Sequence, residues 1–385
     1  MIFNKNKQKK YASFIIGMII FSSLFAENSS AITIKRISGQ DRYQTSFNIA
    51  DHHKSDIAVL VSGKNFPDAL SAISLSNKYK ANIILAKTTS DILEHRKLTS
   101  ELINRKVKNV YIVGGNKSVD SGYERELKKF FFVERIEGKD RYETSLRVIE
   151  KSGYKNLCIA DGRGYPDALS TSALVNKTNT GLLLVDGSKN LNLRPDYKVL
   201  YTIGGPNSIK NTYGKRIAGE DRYKTCYQIL NMINPKNILI ASGTNFPDAL
   251  SASSMTSLGD MGVLLCTNNY DENVLKYTSD VNSITVIGGS NSVSGLTVNA
   301  IIDRYLYSYD SYYNIGFDEE SQTYKFSDRS TFKGWLFQPN TTNYGYDKYF
   351  YNDKGVLQKD TVLDGVLIDD KGKAQLDNDG KPIIN

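Results

Sequence analysis

Arg36-Ile-Ser-Gly-Gln-Asp-Arg-Tyr-Gln-Thr45 returns as Arg135-Ile-Glu-Gly-Lys-Asp-Arg-Tyr-Glu-Thr144 and again as Arg216-Ile-Ala-Gly-Glu-Asp-Arg-Tyr-Lys-Thr225. A second block, Pro67-Asp-Ala-Leu-Ser71, recurs at Pro166–Ser170 and Pro247–Ser251. A third, Gly114-Gly115 with Ser118-Val119, recurs at Gly204-Gly205 with Ser208-Ile209 and at Gly288-Gly289 with Ser292-Val293. Three ordered motifs in three copies make the chain a tandem array of one supersecondary unit. Asp41 to Asp68, Asp140 to Asp167 and Asp221 to Asp248 are each 27 residues apart, so the first two blocks belong to one packed unit. From the second block to the glycine pair the distance varies (46, 37 and 40 residues), so loops and a helix there can shrink.

Each copy alternates strand and helix signals. Tyr43, Phe47, Ile49 and Ala50 fit one helical face, and Tyr142, Leu146, Val148 and Ile149 repeat it. Ile57–Val61 and Ala81–Ala86 read as buried strands, Ile92–Ile103 as a helix and Val110–Val113 as a strand ending in the glycine pair. Pro67 with Asp68 suits a first helical turn, since proline presets φ and the carboxylate faces the positive end of the dipole. The order β-α-β-α-β predicts an α/β protein with three open modules, each with a mostly parallel sheet. The middle copy lacks most of one helix, because Asn190–Lys198 is short and carries Pro195.

Ahead of the array, Lys5, Lys7, Lys9 and Lys10 precede an apolar run, Tyr11–Ala26, which is the layout of a secretory signal peptide over 1–26, cleaved after Ala26 or Ala31. The run is too short for a retained membrane span, so the mature chain is expected outside the cell, without one. The whole chain carries +8 and the four leader lysines leave +4. Residues from Asp303 onward hold 14 acids and 10 bases, so residues 27–302 hold about +8. A basic exported region points to an anionic partner, and outside the cell that partner is not nucleic acid. Cys158, Cys226 and Cys266 are odd in number and widely spaced, which fits small packed residues rather than a disulfide framework.

Within the array, Arg42, Arg141 and Arg222 are the candidate ligand-binding residues. They stand at one position of every copy beside a helix start, and a guanidinium fork suits phosphate, carboxylate or pyruvyl groups. A structural Arg–Asp pair fixing a loop accounts for them equally, and Arg36, Arg135 and Arg216 lean further that way. Asp68, Asp167 and Asp248 could line a groove at the carboxyl edges of the strands, or simply complement a helix dipole. Ser118, Ser208 and Ser292 could sit where backbone N–H groups meet an anion, or serve as helix caps. Catalysis has little to stand on. His52, His53 and His95 all fall in the first copy and lack the i, i+4 spacing of a zinc pair, so no metal and no cofactor is expected.

The three blocks together resemble the family called cell wall binding repeat 2, over about residues 32–300. The resemblance implies three open α/β modules in a pseudo-threefold arrangement, here 32–125, 132–212 and 213–300. It also implies non-covalent attachment to an anionic secondary cell wall polymer, with surface-layer proteins as further partners, at the cell surface. Residues 305–385 fall outside it. They are rich in Tyr, Asp, Asn and Gly, and Tyr351-Asn-Asp-Lys-Gly355 is echoed 17 positions later by Ile368-Asp-Asp-Lys-Gly372. Such turns between short alternating runs read as a small β-hairpin-rich module. It looks like a divergent form of choline-binding-type repeats, from which it departs in having a single tryptophan, Trp335. A wall-modifying hydrolase targeted by the repeats, or a surface-layer component or adhesin, are the competing readings.

Overall fold

A computed structural model of the chain describes residues 33–267, 281–294 and short segments between 316 and 375. The amino-terminal apolar run, both cleavage positions and the stretch 303–305 lie outside the described residues. Among the described residues no helix is long and apolar enough to cross a membrane.

The first repeat runs β1 (Thr33–Ile37), α1 (Arg42–His53), β2 (Ile57–Ser62), α2 (Phe66–Tyr79), β3 (Asn82–Ala86), α3 (Ile92–Asn104), β4 (Asn109–Val113) and α4 (Ser121–Leu127). The second opens with β5 (Phe132–Ile136) and continues α5 (Arg141–Ser152), β6 (Asn156–Asp161), α6 (Pro166–Leu169), α7 (Ser172–Thr178), β7 (Gly181–Val185) and β8 (Lys198–Ile203). The third opens with β9 (Lys215–Ile217) and continues α8 (Arg222–Ile233), β10 (Asn237–Ser242), α9 (Phe246–Ser253), β11 (Met261–Cys266) and β12 (Ser283–Ile287). Three four-stranded sheets result, ordered β3-β2-β4-β5, β7-β6-β8-β9 and β1-β12-β10-β11, with every strand pair parallel. Asn82–Ala86 and Gly181–Val185 are buried throughout, as strands covered on both faces must be. The structure is therefore α/β, with three parallel-sheet modules.

The sheets do not coincide with the sequence repeats. The Arg-Ile strand that opens each repeat pairs in the sheet of the repeat before it. β5 joins the first sheet through β4, β9 joins the second through β8, and β1 joins the third through β12. The last exchange closes the array into a ring. The arginine of each strand fastens it, since Arg36, Arg135 and Arg216 donate from Nη1 to the carbonyls of Gly288, Gly114 and Gly204 at 2.7, 2.7 and 2.6 Å.

The opposite edge of each sheet is blunted within its own repeat. Ser46 Oγ accepts from Leu85 N–H, Ser145 Oγ from Leu184 N–H, and Cys226 Sγ from Leu265 N–H. Cys226 thus does the work of a serine, and burial raises its thiol pKa to about 12. Unpaired strand edges template aggregation, so covering them matters in a protein with three sheets.

Helix α2 packs against α7, α9 and the Ser254–Leu258 turn of 3₁₀ helix, where all three repeats meet. The seam is polar. Asn77 Nδ2 donates to the Ser172 carbonyl, Ser74 Oγ accepts from Leu182 N–H, and Asn176 Nδ2 donates to the Thr256 carbonyl. His53 lies buried there, with Nδ1 2.7 Å from Asn82 Oδ1 and Nε2 3.3 Å from Ser257 Oγ. Desolvation holds its pKa below the ordinary 6.5, helped by the Lys80 charge and opposed by the Asn82 bond. As pH falls through 6.5 the unfolded chain takes up a proton that the folded chain refuses. Stability is therefore full above 6.5 and is lost from there down to the depressed folded value. Thermal melts between pH 7.5 and 5.5 should show this fall, and His53→Asn should flatten it; an unchanged slope in the variant would exclude His53 as its source.

In the carboxyl-terminal segments the pairs Gly316–Asp318 with Thr323–Lys325, Gly334–Pro339 with Tyr346–Tyr351, and Thr361–Leu363 with Val366–Ile368 are antiparallel. The turns at Asn352 and Asp369 behave alike. Asn352 Oδ1 accepts from Lys354 and Val356 N–H, and Asp369 Oδ1 from Lys371 and Lys373 N–H. Each turn feeds an antiparallel bridge, Tyr351 with Leu357 and Ile368 with Ala374. This is the small β-rich part of the fold.

Candidate functional site

The first block is a helix entry. Asp41, Asp140 and Asp221 cap their helices, accepting from the N–H groups of Gln44, of Tyr142 and Glu143, and of Lys224. Gly39, Gly138 and Gly219 donate from N–H to Thr45, Thr144 and Thr225 Oγ1, each at 3.0 Å. The block's tyrosine packs against the glycine that follows the next strand. A Cβ on Gly63, Gly162 or Gly243 would meet the ring of Tyr43, Tyr142 or Tyr223 at 2.5, 2.8 and 2.5 Å. The carbonyl of that same glycine takes the site arginine. Arg42 Nη1 donates to Gly63 O, Arg141 Nη1 to Gly162 O and Arg222 Nη1 to Gly243 O, at 2.8, 2.7 and 2.8 Å. The arginine's partner is therefore a strand-end carbonyl, and the neighbouring Asp is occupied as a cap.

The ring beneath two of the arginines comes from the preceding repeat. Arg141 stands over the ring of Phe66, 5.7 Å from its centroid, and Arg222 over that of Tyr165 at 5.6 Å. Phe66, Tyr165 and Phe246 each precede the proline of the second block. Their rings form a trio with centroid separations of 5.3, 6.3 and 6.1 Å, around the axis where the three repeats meet. Tyr165 also donates its hydroxyl to the Thr244 carbonyl of the third repeat at 2.5 Å. The aromatic position before the proline carries the site's centre. The repeated Phe-Pro, Tyr-Pro and Phe-Pro pairs were its signal in the sequence.

The acids and serines form a layer beneath. Ser118 Oγ donates to Asp68 Oδ2 at 2.6 Å and Ser208 Oγ to Asp167 Oδ2 at 3.3 Å, and Ser292 does the same for Asp248. The hydroxyl is thus spent on a carboxylate and caps no helix, and the adjoining backbone is spent too, because Ser118 and Val119 N–H close onto Gly115 O. Burial lifts the carboxyls of Asp167 and Asp248 above their ordinary range. It is opposed at Asp167 by Thr225, Ser208 and the Arg222 charge, and at Asp248 by Ser292 and the Arg42 charge. Asp167 and Asp248 therefore each lie in the field of the arginine of the following repeat, around the ring. Arg42 is exposed, and Arg141 and Arg222 are half-buried. A guanidinium has five N–H donors, so one bond to a carbonyl leaves donors for an anion.

The histidines take no part in this site. His95 is buried against Tyr123 with ring centroids 4.1 Å apart and Nε2 2.9 Å from the Thr89 carbonyl, while His52 is exposed. Among the described residues no group of three His, Cys, Asp or Glu side chains could hold a metal ion.

The model of Cell wall binding domain 2 (CWB2) matches residues 36–124, 135–213 and 216–298, which together exceed half of the chain. The chain belongs to the CWB2 family. Each CWB2 match begins at the Arg-Ile strand that pairs in the preceding sheet. The chain is 28% identical over 317 residues to N-acetylmuramoyl-L-alanine amidase LytC of Bacillus subtilis (strain 168), covering 74% of this chain and 61% of LytC. It is 27% identical over 301 residues to the Amidase enhancer of the same organism, covering 73% and 42%. It thus spans roughly three-fifths and two-fifths of those relatives. Among solved structures, Cwp8 from Clostridium difficile superimposes with a TM-score of 0.61 at 20% identity, over 75% of this chain and 55% of that one. Cwp6 from the same organism does so with 0.59 at 22% identity, over 70% and 48%. These two show the shared fold.

Proposed function

We propose that the chain is an exported protein that holds itself to the cell wall without a covalent bond, by binding an anionic secondary wall polymer through its CWB2 ring. The observation that carries this reading is the axial arrangement: a trio of aromatic rings with Arg141 and Arg222 standing over two of them, and Arg42 held at the same position of the first repeat by the equivalent glycine carbonyl. Aromatic faces take the apolar side of a sugar and guanidinium groups take its acidic substituent. The excess positive charge of residues 27–302 agrees with it. On this reading residues 32–125, 132–212 and 213–300 are the attachment repeats, Asp68, Asp167, Asp248, Ser118, Ser208 and Ser292 hold the arginines and loops in place, and residues 305–385 form the displayed module. Surface-layer proteins are natural neighbours there.

The two Bacillus relatives bear names from wall metabolism, so a second reading is a wall hydrolase or its helper targeted by the ring. A zymogram of the purified chain on a peptidoglycan gel separates the two: a cleared band would establish hydrolysis. Attachment is tested by sedimenting the chain with purified walls before and after chemical stripping of the anionic polymer. Loss of co-sedimentation on stripping supports the proposal, and persistence points to peptidoglycan itself.

Arginine replacement gives the residue-level version. A charge-assisted hydrogen bond contributes about 1.5–3 kcal/mol, so Arg42→Ala, Arg141→Ala or Arg222→Ala should each weaken wall binding by roughly tenfold to a hundredfold. The effect should shrink as salt rises. Each substitution also removes one bond to a glycine carbonyl, costing about 1 kcal/mol of stability. Circular dichroism should therefore still report a folded chain; unchanged wall affinity in the triple variant would remove the arginines from the site.

A further inference from the structure

The second repeat carries a groove that the first does not. In the first repeat, α3 lays Leu98 and Leu102 over α1 and the sheet, and the space beside Tyr43, Lys87 and Leu98 shrinks to about 80 Å³. In the second, the segment between β7 and β8 forms no helix, and the equivalent space beside Tyr142, Asp186 and Leu191 opens to about 420 Å³. That size falls within the roughly 300–1,000 Å³ typical of small-molecule sites. It lies at the carboxyl end of β7, the edge at which open parallel sheets receive ligands.

The groove is not an empty seat awaiting a helix. At the 99-residue offset between the repeats, Ala50, Ala58 and Ala86 become Ile149, Leu157 and Val185, all buried in the second repeat's core. Larger side chains have filled the volume under the lost helix, and Leu191, Leu193 and Tyr213 close over them from the loop side. What remains is a shallow aliphatic floor with a polar rim.

The rim decides the ligand's charge. It carries Lys139 and Lys189 against Asp140, Glu143 and Asp186. Asp186 accepts from Ser188 and holds Lys189 at 3.0 Å, which together pull its carboxyl down to about 2. With Arg147 held on Glu143 at 2.6 Å, the rim sets three bases against three acids and offers an ion of either sign no net opposite charge, above an aliphatic floor. A neutral ligand with one apolar group and a hydroxyl-bearing periphery fits both. Asn190 and Asn192 and the rim carboxylates supply acceptors for hydroxyls, and Leu191, Leu193 and Val185 supply contact for a methyl. We propose that this groove is a second carbohydrate site, separate from the axial arginines, and that it takes a neutral N-acetylated hexosamine unit through its acetamido methyl.

The test is methyl NMR of the full chain, labelled at Ile, Leu and Val, titrated with N,N′-diacetylchitobiose up to about 10 mM, enough to saturate a millimolar site. Shifts confined to Val185, Leu191, Leu193 and neighbouring methyls, saturating as one site, are expected. Cellobiose, which lacks the acetamido groups, should bind at least about tenfold more weakly, a difference of about 1.4 kcal/mol. Leu191→Lys, placed on the exposed side of the core, should abolish the response while the methyl spectrum of the other repeats stays unchanged. The Arg42→Ala, Arg141→Ala, Arg222→Ala chain should keep it, so failure of the axial site leaves this one standing. Absence of shifts, shifts mapping to another repeat, or an equal response to cellobiose would each overturn the assignment.

Discussion

Replacing Ile37 with Asp is expected to loosen the third repeat before the first, although Ile37 opens the first in sequence. Ile37 is buried at 4% exposure and pairs with Ile287 at the end of β12. Its carbonyl accepts from Gly288 N–H at 2.9 Å, and the adjacent Arg36 reaches Gly288 O and Val293 O across 252 and 257 positions of chain. Burying a large aliphatic side chain contributes roughly 1.5–3 kcal/mol, and a carboxylate forced into that place loses this and adds a desolvation cost of similar size. The loss, on the order of 5 kcal/mol, is comparable with the whole stability of a small domain, about 5–15 kcal/mol. Amide exchange should accelerate first in residues 237–242 and 283–287, while 57–62 and 109–113 stay protected. If exchange rises first in β2 and β4 instead, β1 does not hold the ring closed. The conservative Ile37→Val, which keeps the strand, should leave exchange in both repeats nearly as it was.

That lesion separates what the sequence announces from what only the fold can show. The blocks, their constant spacing, the helix starts at Pro67 and Pro247 and the missing helix of the middle repeat were legible, because each is written in local propensity or in period. The strand exchange was not. Arg36-Ile37 is contiguous with the helix that follows it, so self-similarity assigns it to its own repeat. Its hydrogen-bonding partner is chosen by how three modules close around an axis, which no window of residues encodes. The site shows the same division. Arg42, Arg141 and Arg222 stand out as a repeated position, but their aromatic cover comes from the preceding repeat, and only the ring brings Phe66 to Arg141 and Tyr165 to Arg222. Ser118 and Asp68, read separately as cap and dipole partner, turn out to be one pair.

The glycine pair supplies the second large effect, with an internal control. Gly288→Ala should cost roughly 3–5 kcal/mol, whereas Gly289→Ala should be nearly silent. Gly288 sits at φ +99°, in the region that disfavours a side chain, and a Cβ there would press into the Asp248 carboxylate and lie 3.0 Å from Ser292 Cβ. A Cβ on Gly289 meets nothing within 4 Å. Gly204 and Gly205 repeat the contrast, with φ +102° and Asp167 Oδ2 2.6 Å from a Cβ on the first, and open space at the second. The difference should appear as a lower melting temperature for Gly288→Ala and Gly204→Ala alone. Function should follow the same line. Asp248 lies in the field of Arg42 and Asp167 in that of Arg222, so displacing either carboxylate changes the field at the arginine. Wall co-sedimentation of the folded Gly288→Ala chain, measured well below its melting temperature, should then fall while that of Gly289→Ala does not. Equal binding by the two would mean that the carboxylate layer supports the fold without setting the arginines, and would confine the site to the guanidinium groups and the aromatic trio.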